Sequence, residues 1–428
     1  MTKTELFLSF LKIGIIGFGG GSALIPVVSK ELVTNHKAMS EEEYLKHVVV
    51  ASVTPGAQPI KLGATCGYQL GGVAGSLLAA YGVMLPSVLL TLGIMALFSL
   101  LGGTAIQYFN YASVGITAFI VFVLLTFVKD TVMAGSFWVN AVLCGLAFVL
   151  TGGKEVRQLT GQLMGSAPPQ WMELLPDSST IHLIGTFFLL LMVYTIATHK
   201  KGSAKKPAAP LPMGILLTIA VLLGVPIGAG LLLTGGSLQF LAKVCLSTLT
   251  SFGGGAAYIS VADGIFVQGG YIAPEVFYTQ LVPVANALPG PMLTKVAAGI
   301  GLVVGSAASP MTGWLLAGVS ALTVAGSCSA VALLVMQLYD TIGQSALIRN
   351  LKLYILPVIC GMLLSTSLSM IYESTKITGE KGISPFLSLP LILASLPLLH
   401  WLQKRFHLHD LVLLVLAAVG SLGLLLLL

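Results

Sequence analysis

Charge is what this chain has least of. Asp, Glu, Lys and Arg make up 8% of its 428 residues, against 56% hydrophobic residues and a mean hydropathy of +0.96. That balance excludes a soluble globule of this length, which would lack the polar surface to solvate itself. Acidic residues are the scarcer sign, 15 against 21 basic ones, for a formal net charge of +6. The basic residues are spread along connecting segments instead of gathered on one face, so no nucleic-acid partner is expected. Cysteine is sparse as well. Cys66, Cys144, Cys245, Cys328 and Cys360 are an odd, widely spaced set. They form no disulfide framework and no metal or redox pair, and read as small apolar packing residues. There is no phosphate-cradling Walker sequence, no cofactor fingerprint after a strand, and no distinctive Ser/His/acid set. The expectation is a non-enzyme with no cofactor, for which ATP would have to be handled by another subunit. His407-Leu408-His409-Asp410 lacks further convergent ligands and reads as a membrane-boundary loop, so no metal is expected.

What the chain has in abundance is long apolar runs. Stretches 82–102, 105–128, 132–151, 181–198, 211–234, 311–338, 353–371, 385–402 and 408–428 approach the roughly 20 residues a helix needs to cross the hydrocarbon core. The expected fold class is therefore all-α and polytopic, in the lipid bilayer of the cell's inner (plasma) membrane. The first apolar stretch follows Met1-Thr2-Lys3-Thr4-Glu5 without a small-residue cleavage site, so the N-terminus is expected to be retained. The run "HKKGSAKKPAAP", residues 199–210, fits a flexible cytoplasmic linker under the positive-inside tendency, with Arg349, Lys352, Lys404 and Arg405 marking other inner loops. Lys129-Asp130 reads as a boundary pair. Residues 152–180 form the longest polar interval, broken by Pro168, Pro169 and Pro176 and suited to short interfacial turns.

The chain also repeats itself. "GFGGGSALIPVV" at 17–28 is answered by "SFGGGAAYISVA" at 251–262, and Phe252 lies 252 − 18 = 234 positions after Phe18. The same ungapped offset brings Pro55-Gly56 onto Pro289-Gly290, Lys61 onto Lys295, Tyr44 onto Tyr278 and Glu41 onto Glu275. It also brings Gly67 and Gly71 onto Gly301 and Gly305. Shared oiliness does not hold so many unusual residues in register, so the chain is read as a duplicated module. The copies are placed at 1–206 and 207–428, with the basic linker closing the first. An inverted relation between them is expected, and residues 45–80 are read either as one crossing or as a re-entrant hairpin.

Each copy carries two interruptions in apolar sequence. The glycine runs Phe18-Gly19-Gly20-Gly21 and Phe252-Gly253-Gly254-Gly255 remove side chains where backbone bends or approaches a neighbour. "TPGAQPIK" and "LPGPMLTK" place helix breakers shortly before a lysine. Backbone freed in lipid must be buried in protein or line a watery cavity, so both pairs are candidates for broken helices at a substrate site. A half-helix starting after Pro55-Gly56 or after Pro289-Gly290-Pro291 would aim its free N–H groups and positive dipole end at an anion, and Lys61 and Lys295 would add charge. Taken singly, each feature has a plainer reading. Glycine runs allow close helix packing, Pro-Gly makes turns, and lysines snorkel to interfaces. Their coincidence in both halves is the pointer expected of repeat-built transporters. For coupling, Glu31 and Asp263 follow the glycine runs at nearly matching places and are the candidate proton carriers, but the favoured reading is the plainer one, an interfacial carboxylate facing water or pairing with Lys30. A membrane scaffold or lipid-handling subunit is the alternative class, with the glycines serving packing alone.

"FGGGSALIPVV", "SVTPGAQPIKLGATCGYQLGGVAGSLLAAYGVMLPS", "FGGGAAYISV" and "NALPGPMLTKVAAGIG" resemble the chromate ion transporter family in its two-module form, over most of 6–100 and 240–325. The resemblance implies an inner-membrane helical transporter with antiparallel duplication, exporting chromate, with sulfate as a related substrate or competitor. A proton gradient or anion exchange would drive it, the partner is a small inorganic anion, and a homo-oligomer is open. Two departures bear on the substrate. Ala57 stands where the family pattern prefers a second proline, and Lys61 and Lys295 stand where a neutral polar residue is often expected.

Overall fold

In the computed structural model, the described residues are 1–16, 24–100, 103–134, 136–165, 167–176, 180–198, 211–233, 236–252, 255–338, 346–408 and 410–428. Phe18 to Gly21, Gly253, Gly254 and the 199–210 linker lie outside them. Helices and turns make up the described residues, with no strand among them, as the composition predicts.

The first copy contributes α1 (Lys3–Ile16) and α2 (Leu24–Ser29), which continues as a π-helical segment Lys30–Asn35. Next come α3 (Glu41–Val53), α4 (Gln58–Leu100) and α5 (Gly103–Met133). Helices α6 (Phe137–Thr151), α7 (Gly153–Met164) and α8 (Thr180–Thr198) lead to α9 (Met213–Leu232). The second copy follows with α10 (Ser237–Leu249) and α11 (Gly255–Ala262), which runs into a π-helical Asp263–Val267. A third π-helical segment, Val276–Leu281, opens into α12 (Val282–Ala287). The chain ends with α13 (Met292–Ser306), α14 (Pro310–Gln337), α15 (Ala346–Glu380), α16 (Pro385–Phe406) and α17 (Asp410–Leu427).

Among the described residues, six helices are long and apolar enough to cross a membrane, and the pair α6 and α7, bent by 65° at Gly152, makes a further broken candidate. The described residues of all nine apolar stretches fall on helices or at their ends, though Arg349 and Lys352 stand in the first turns of α15, and Lys404 and Arg405 in the last turn of α16, instead of in loops. The 152–180 interval holds a full helix, α7, and a 3-10 turn Gln170–Leu174. Sequence reading missed α7 because its apolar positions are few and the prolines after it dominate the interval. The outer surface is apolar: Trp138 on α6 is 77% exposed and Leu232 on α9 is 89% exposed. In water such faces would aggregate, whereas lipid covers them without penalty.

Helical hydrogen bonding masks a reversal inside α4. Gly71 (φ −148, ψ 19) and Gly72 (φ 59, ψ −145) leave the helix, dividing α4 into a short arm, 58–70, and a long arm, 73–100. The arms fold back on each other through small residues. A Cβ at Gly67 would collide with the Gly75 carbonyl, and one at Gly63 would fall 2.9 Å from the Ala79 carbonyl oxygen. The second copy builds the same hairpin from α13 and α14. A Cβ at Gly305 would fall 2.8 Å from Gly313 Cα, and one at Gly301 would fall 2.8 Å from the Leu316 carbonyl oxygen. Four-residue spacing puts Gly63 and Gly67, and likewise Gly301 and Gly305, on one helix face, so backbone meets backbone. Residues 45–80 thus hold two interruptions, the Pro55-Gly56 break and the reversal at Gly71-Gly72. The 15-residue α13 rises about 22 Å, short of the roughly 30 Å hydrocarbon thickness, so the hairpin arms after the Pro-Gly breaks are too short to span it.

The chain forms two compact units that cut across the repeat. One comprises Met1–Leu92, Ile184–Tyr258 and Leu288–Ile355, the other Gly93–Leu183, Ile259–Ala287 and Leu356–Leu428. Within the first, α1 lies against the long arm of α4, where Gly14 meets the Val83 backbone, and α9 crosses α14 where Gly326 meets Leu222. Ile215, Leu222 and Leu333 are buried there, with Tyr68 and Tyr81 packed against them. Within the second, α5 and α17 cross at Gly115, whose N–H donates to Ser421 Oγ at 3.0 Å. Ser421 Oγ donates in turn to the Tyr111 carbonyl.

Replacing Gly67 by Leu should destabilise the folded protein by about 2 kcal/mol or more through overpacking at the hairpin crossing. Gly145→Ala, at a position with nothing near its Cβ, should leave stability within about 0.5 kcal/mol of wild type. Thermal unfolding of the purified protein in detergent checks both, and equal stability of the two variants would refute the packing account.

Candidate functional site

The two Pro-Gly breaks have one geometry. Helix α3 stops at Thr54, and Gly56 takes φ +92 before the short arm begins at Gln58. Helix α12 stops at Ala287, and Gly290 takes φ +89 before α13 begins at Met292. Positive φ is strained for a residue with a Cβ, which is why glycine stands at both. In each copy the lysine occupies the fourth position of the new helix. From there its side chain reaches back across the break.

Lys61 Nζ donates to the Thr54 carbonyl at 2.5 Å, and Lys295 Nζ donates to the Leu288 carbonyl at 2.6 Å, with Pro289 O at 3.4 Å. Thr54 and Leu288 are themselves 288 − 54 = 234 apart, so the acceptors obey the repeat as the donors do. Both lysines are buried, 1% and 2% exposed, which excludes snorkelling to an interface. Their ammonium groups satisfy carbonyls that the broken helices leave without intrahelical partners. Thr54 also uses its own hydroxyl on the Val50 carbonyl at 2.7 Å.

Each break packs against the other copy, and both lie in the first compact unit. Gly56 N–H donates to the Ser251 carbonyl at 2.8 Å, immediately before Phe252, and its missing Cβ makes room for Cys328 and Thr248. The missing Cβ of Gly290 makes room for Ser87 Cβ, at 2.6 Å, and the Gly14 carbonyl oxygen, at 3.2 Å. Gly14 and Thr248 are again 234 apart. Each Pro-Gly element thus sits on the helix that leads into the opposite copy's glycine run. Phe252 itself is buried.

The two candidate carboxylates are held differently. Glu31, in the π-helical Lys30–Asn35, accepts from Asn35 Nδ2 at 2.8 Å, Lys12 Nζ at 3.2 Å and Ser9 Oγ at 3.3 Å. His36 Nε2 lies 3.7 Å away. Its basic partner is therefore Lys12 on α1, not Lys30. Asp263, 4% exposed in its own π-helical segment, accepts from Tyr278 at 2.5 Å and from Thr366 Oγ1 at 3.4 Å. Tyr44, the counterpart of Tyr278, donates instead to the Ile25 carbonyl at 2.6 Å. No group of three or more His, Cys, Asp or Glu residues able to hold a metal ion occurs among the described residues.

Sequence reading missed the carbonyls that the lysines cap, the Tyr278–Asp263 bond and the contacts of Cys328 and Ser87. For the first two a signal existed, because Tyr44 with Tyr278 and Lys61 with Lys295 share the repeat offset. The Cys328 and Ser87 contacts join distant segments and leave no mark in sequence spacing.

These features define a polytopic helical carrier type: two matched modules, each with a short helical arm behind a lysine-capped Pro-Gly break. The profile of the chromate transporter family matches residues 4–168 and 238–424, most of the chain in two segments, and the chain belongs to that family of transporters. The uncharacterized transporter YwrB of Bacillus subtilis (strain 168) is 30% identical over 102 residues, 24% of this chain and 52% of that protein. The chromate transport protein of Pseudomonas aeruginosa is 29% identical over 155 residues, 35% of this chain and 36% of that protein. The probable chromate transport protein of Synechococcus elongatus is 35% identical over 99 residues, 23% of this chain and 25% of that protein. The matched stretches span about half or less of the length of these relatives. No solved structure matches the chain.

Gly56→Ala should cost about 2–4 kcal/mol from left-handed strain and collision together. Cys328→Gly in the same chain removes the atom struck, so a double-mutant cycle on thermal unfolding should show favourable coupling of about 1 kcal/mol. Strict additivity would mean that Cys328 does not set the close approach.

Proposed function

We infer that this protein is a secondary transporter of an inorganic oxyanion, with chromate as substrate and sulfate as a related substrate or competitor. The observation that carries the reading is the duplicated break: two half-helix starts, each with a buried lysine at the fourth position, in one compact unit. Half-helix N-termini present unbonded N–H groups and a positive dipole end, which favour an anion at the break. An ammonium has three donors, and among the described residues Lys61 has the Thr54 carbonyl as its acceptor, so capping the break does not exhaust it. A divalent oxyanion would meet the charge of Lys61 and Lys295, with Pro55, Gly56, Pro289, Gly290 and Pro291 shaping the backbone. The glycine runs Phe18 to Gly21 and Phe252 to Gly255 adjoin the segments on which the breaks pack, and would supply the close backbone approach. Relief of an otherwise costly buried charge would favour binding of the anion.

The transport direction in this reading is export across the cell's inner membrane, driven by a proton gradient or by anion exchange. Family membership supports the substrate class, and the named relatives from Pseudomonas aeruginosa and Synechococcus elongatus support chromate within it. Asp263 is the stronger of the two proton carriers, because Lys12 and Asn35 commit Glu31 to an ion-paired, structural role.

Purified protein in sealed vesicles should move chromate unaided, which a scaffold or lipid-handling subunit would not. Lys295→Gln should weaken chromate and sulfate binding by about tenfold, one charge-assisted contact's worth. Lys61→Gln should weaken it less, since the second copy keeps the fuller Pro-Gly-Pro element. Direct binding to folded variants checks this. Wild-type affinity in both single variants and the double variant would reduce the lysines to helix-break caps.

A further inference from the structure

The second compact unit carries a crevice that the anion site does not use. Helices α5 and α17 touch at Gly115, where a Cβ would strike the Ala417 carbonyl, and crossed helices diverge on either side of their closest point. Past that point α16, which packs on both, leaves a crevice of about 340 Å3 among the three, its open mouth included. Val114, Ile392 and Leu425 are buried and form its floor, while Leu391, Leu424 and Leu428 are exposed and form its rim. Pro390 immediately precedes two of these residues, and a proline inside a helix removes a hydrogen bond and kinks the axis.

Three hydroxyls also line the crevice, and each is spent within the protein. Ser388 Oγ donates to the Pro385 carbonyl at 3.5 Å, Thr378 Oγ1 to the Thr375 carbonyl at 3.0 Å, and Ser421 Oγ to the Tyr111 carbonyl. The surface that the crevice offers is therefore apolar. An inorganic anion would lose its water there without compensation, which sets the crevice apart from the oxyanion site. Hydrocarbon enters at no such cost, and hydrocarbon is the medium around these helices.

One end of the crevice is polar. Thr378 and Ile383 line it there, and the turn between them carries Lys381. The N–H groups of Lys381 and Ile383 both donate to the Thr378 carbonyl, at 3.2 and 3.1 Å, and Gly382 takes φ +84 between them. Helix α15 ends at this turn, α16 begins just beyond it, and the last residues of α17 line the crevice beside it. Helix ends gathered in this way mark a membrane–water boundary, and Tyr108, exposed in the first turns of α5, is a residue type that favours that level. Lys381 Nζ stands 5.4 Å from the centre of the Tyr111 ring, and Gln107 Nε2 donates to the Tyr111 hydroxyl at 2.7 Å. Among the described residues no carboxylate lies within ion-pair distance of Lys381. A ring face holds the ammonium in place while its charge stays uncompensated.

We propose that this crevice binds a phospholipid with an anionic headgroup, one acyl chain lying among α5, α16 and α17 and the headgroup meeting Lys381. The two ends of the crevice match the two ends of such a lipid: hydrocarbon against Val114, Ile392 and Leu425, negative charge against an unpaired ammonium. A second copy of the chain fits less well. A two-fold contact brings the same patch against itself, so the two copies of Lys381 would approach one another as like charges. Binding ties the ends of α15, α16 and α17 together at one point of the second compact unit. None of the residues assigned to the anion takes part, so the proposal stands or falls apart from the transport reading.

The test uses the delipidated full chain in mild detergent, titrated with phosphatidylglycerol or with phosphatidylcholine of the same acyl chains, bound lipid being counted by native mass spectrometry. Wild-type protein should hold phosphatidylglycerol about fivefold more tightly, the effect of one interfacial lysine on an anionic lipid. Lys381→Gln should remove that preference and leave phosphatidylcholine binding as it was. Lys404→Gln, at the other end of α16, should keep the preference. Ser388→Phe fills the crevice and should weaken the binding of both lipids. Should that variant fail to fold, Leu424→Trp at the exposed rim replaces it, and Lys381→Gln tests the headgroup contact without either. Equal affinity of the wild type for the two lipids, or a preference that survives Lys381→Gln, would overturn the proposal. So would a dimer of the delipidated protein that Ser388→Phe dissolves, because the occupant would then be a second copy of the chain.

Discussion

Every carbonyl and N–H released inside a membrane must find a partner within the protein, and the architecture follows from that one constraint. A helix stopped in mid-span exposes its last carbonyls to lipid unless something caps them. Water is absent, and the next residue along is a proline without an N–H. The protein uses a lysine one turn into the following helix, long enough to reach back and fully buried when it does. Positive-φ glycines at 56 and 290 make the turn tight enough for that reach, and their missing Cβ atoms let the turn dock on the other copy. Remove the constraint and the carbonyls of Thr54 and Leu288 would need no cap.

Much of this was legible in the sequence. Composition demanded helices in lipid, and an offset of 234 residues carried the duplication without any coordinates. Pro55-Gly56 and Lys61, set against Pro289-Gly290 and Lys295, announced broken helices because breakers beside a charge are expensive in apolar sequence. What could not be read was where the lysines point. Spacing placed them near a helix start but did not say that they turn back to the preceding carbonyls. The hairpin at Gly71-Gly72 was also ambiguous, since the residues on both sides are equally apolar and helix-forming. Helix α7 was hidden by its own polarity. Contacts such as Gly56 with Cys328 join segments 272 residues apart by their numbers, 328 − 56, and no local pattern encodes them.

The two carboxylates show how a duplicated frame can diverge in side-chain bonding while the backbone stays alike. Both follow a glycine run, and both sit in π-helical segments. Around Glu31 the first copy gathered a lysine, an asparagine and a serine, which fix its charge. The second copy surrounded Asp263 with hydroxyls, which can give or take a proton as its state changes. Matching scaffolds thus hold one ion-paired carboxylate and one carboxylate bound by hydroxyls.

The hairpins themselves differ in where they reverse. In the first, Gly67 faces Gly75, and in the second, Gly305 faces Gly313, so the reversal falls 305 − 67 = 238 residues later although the arms begin 234 apart. The second helical arm, Met292–Ser306, has two residues more than 58–70 and is about 3 Å longer. A carrier made of two such arms has no true two-fold image of itself, so its inward-open and outward-open forms cannot be equal in energy by symmetry. The half-saturating concentration on one side of the membrane would then differ from that on the other. Such a carrier works as a rectifier in rate without changing the gradient at which net movement stops.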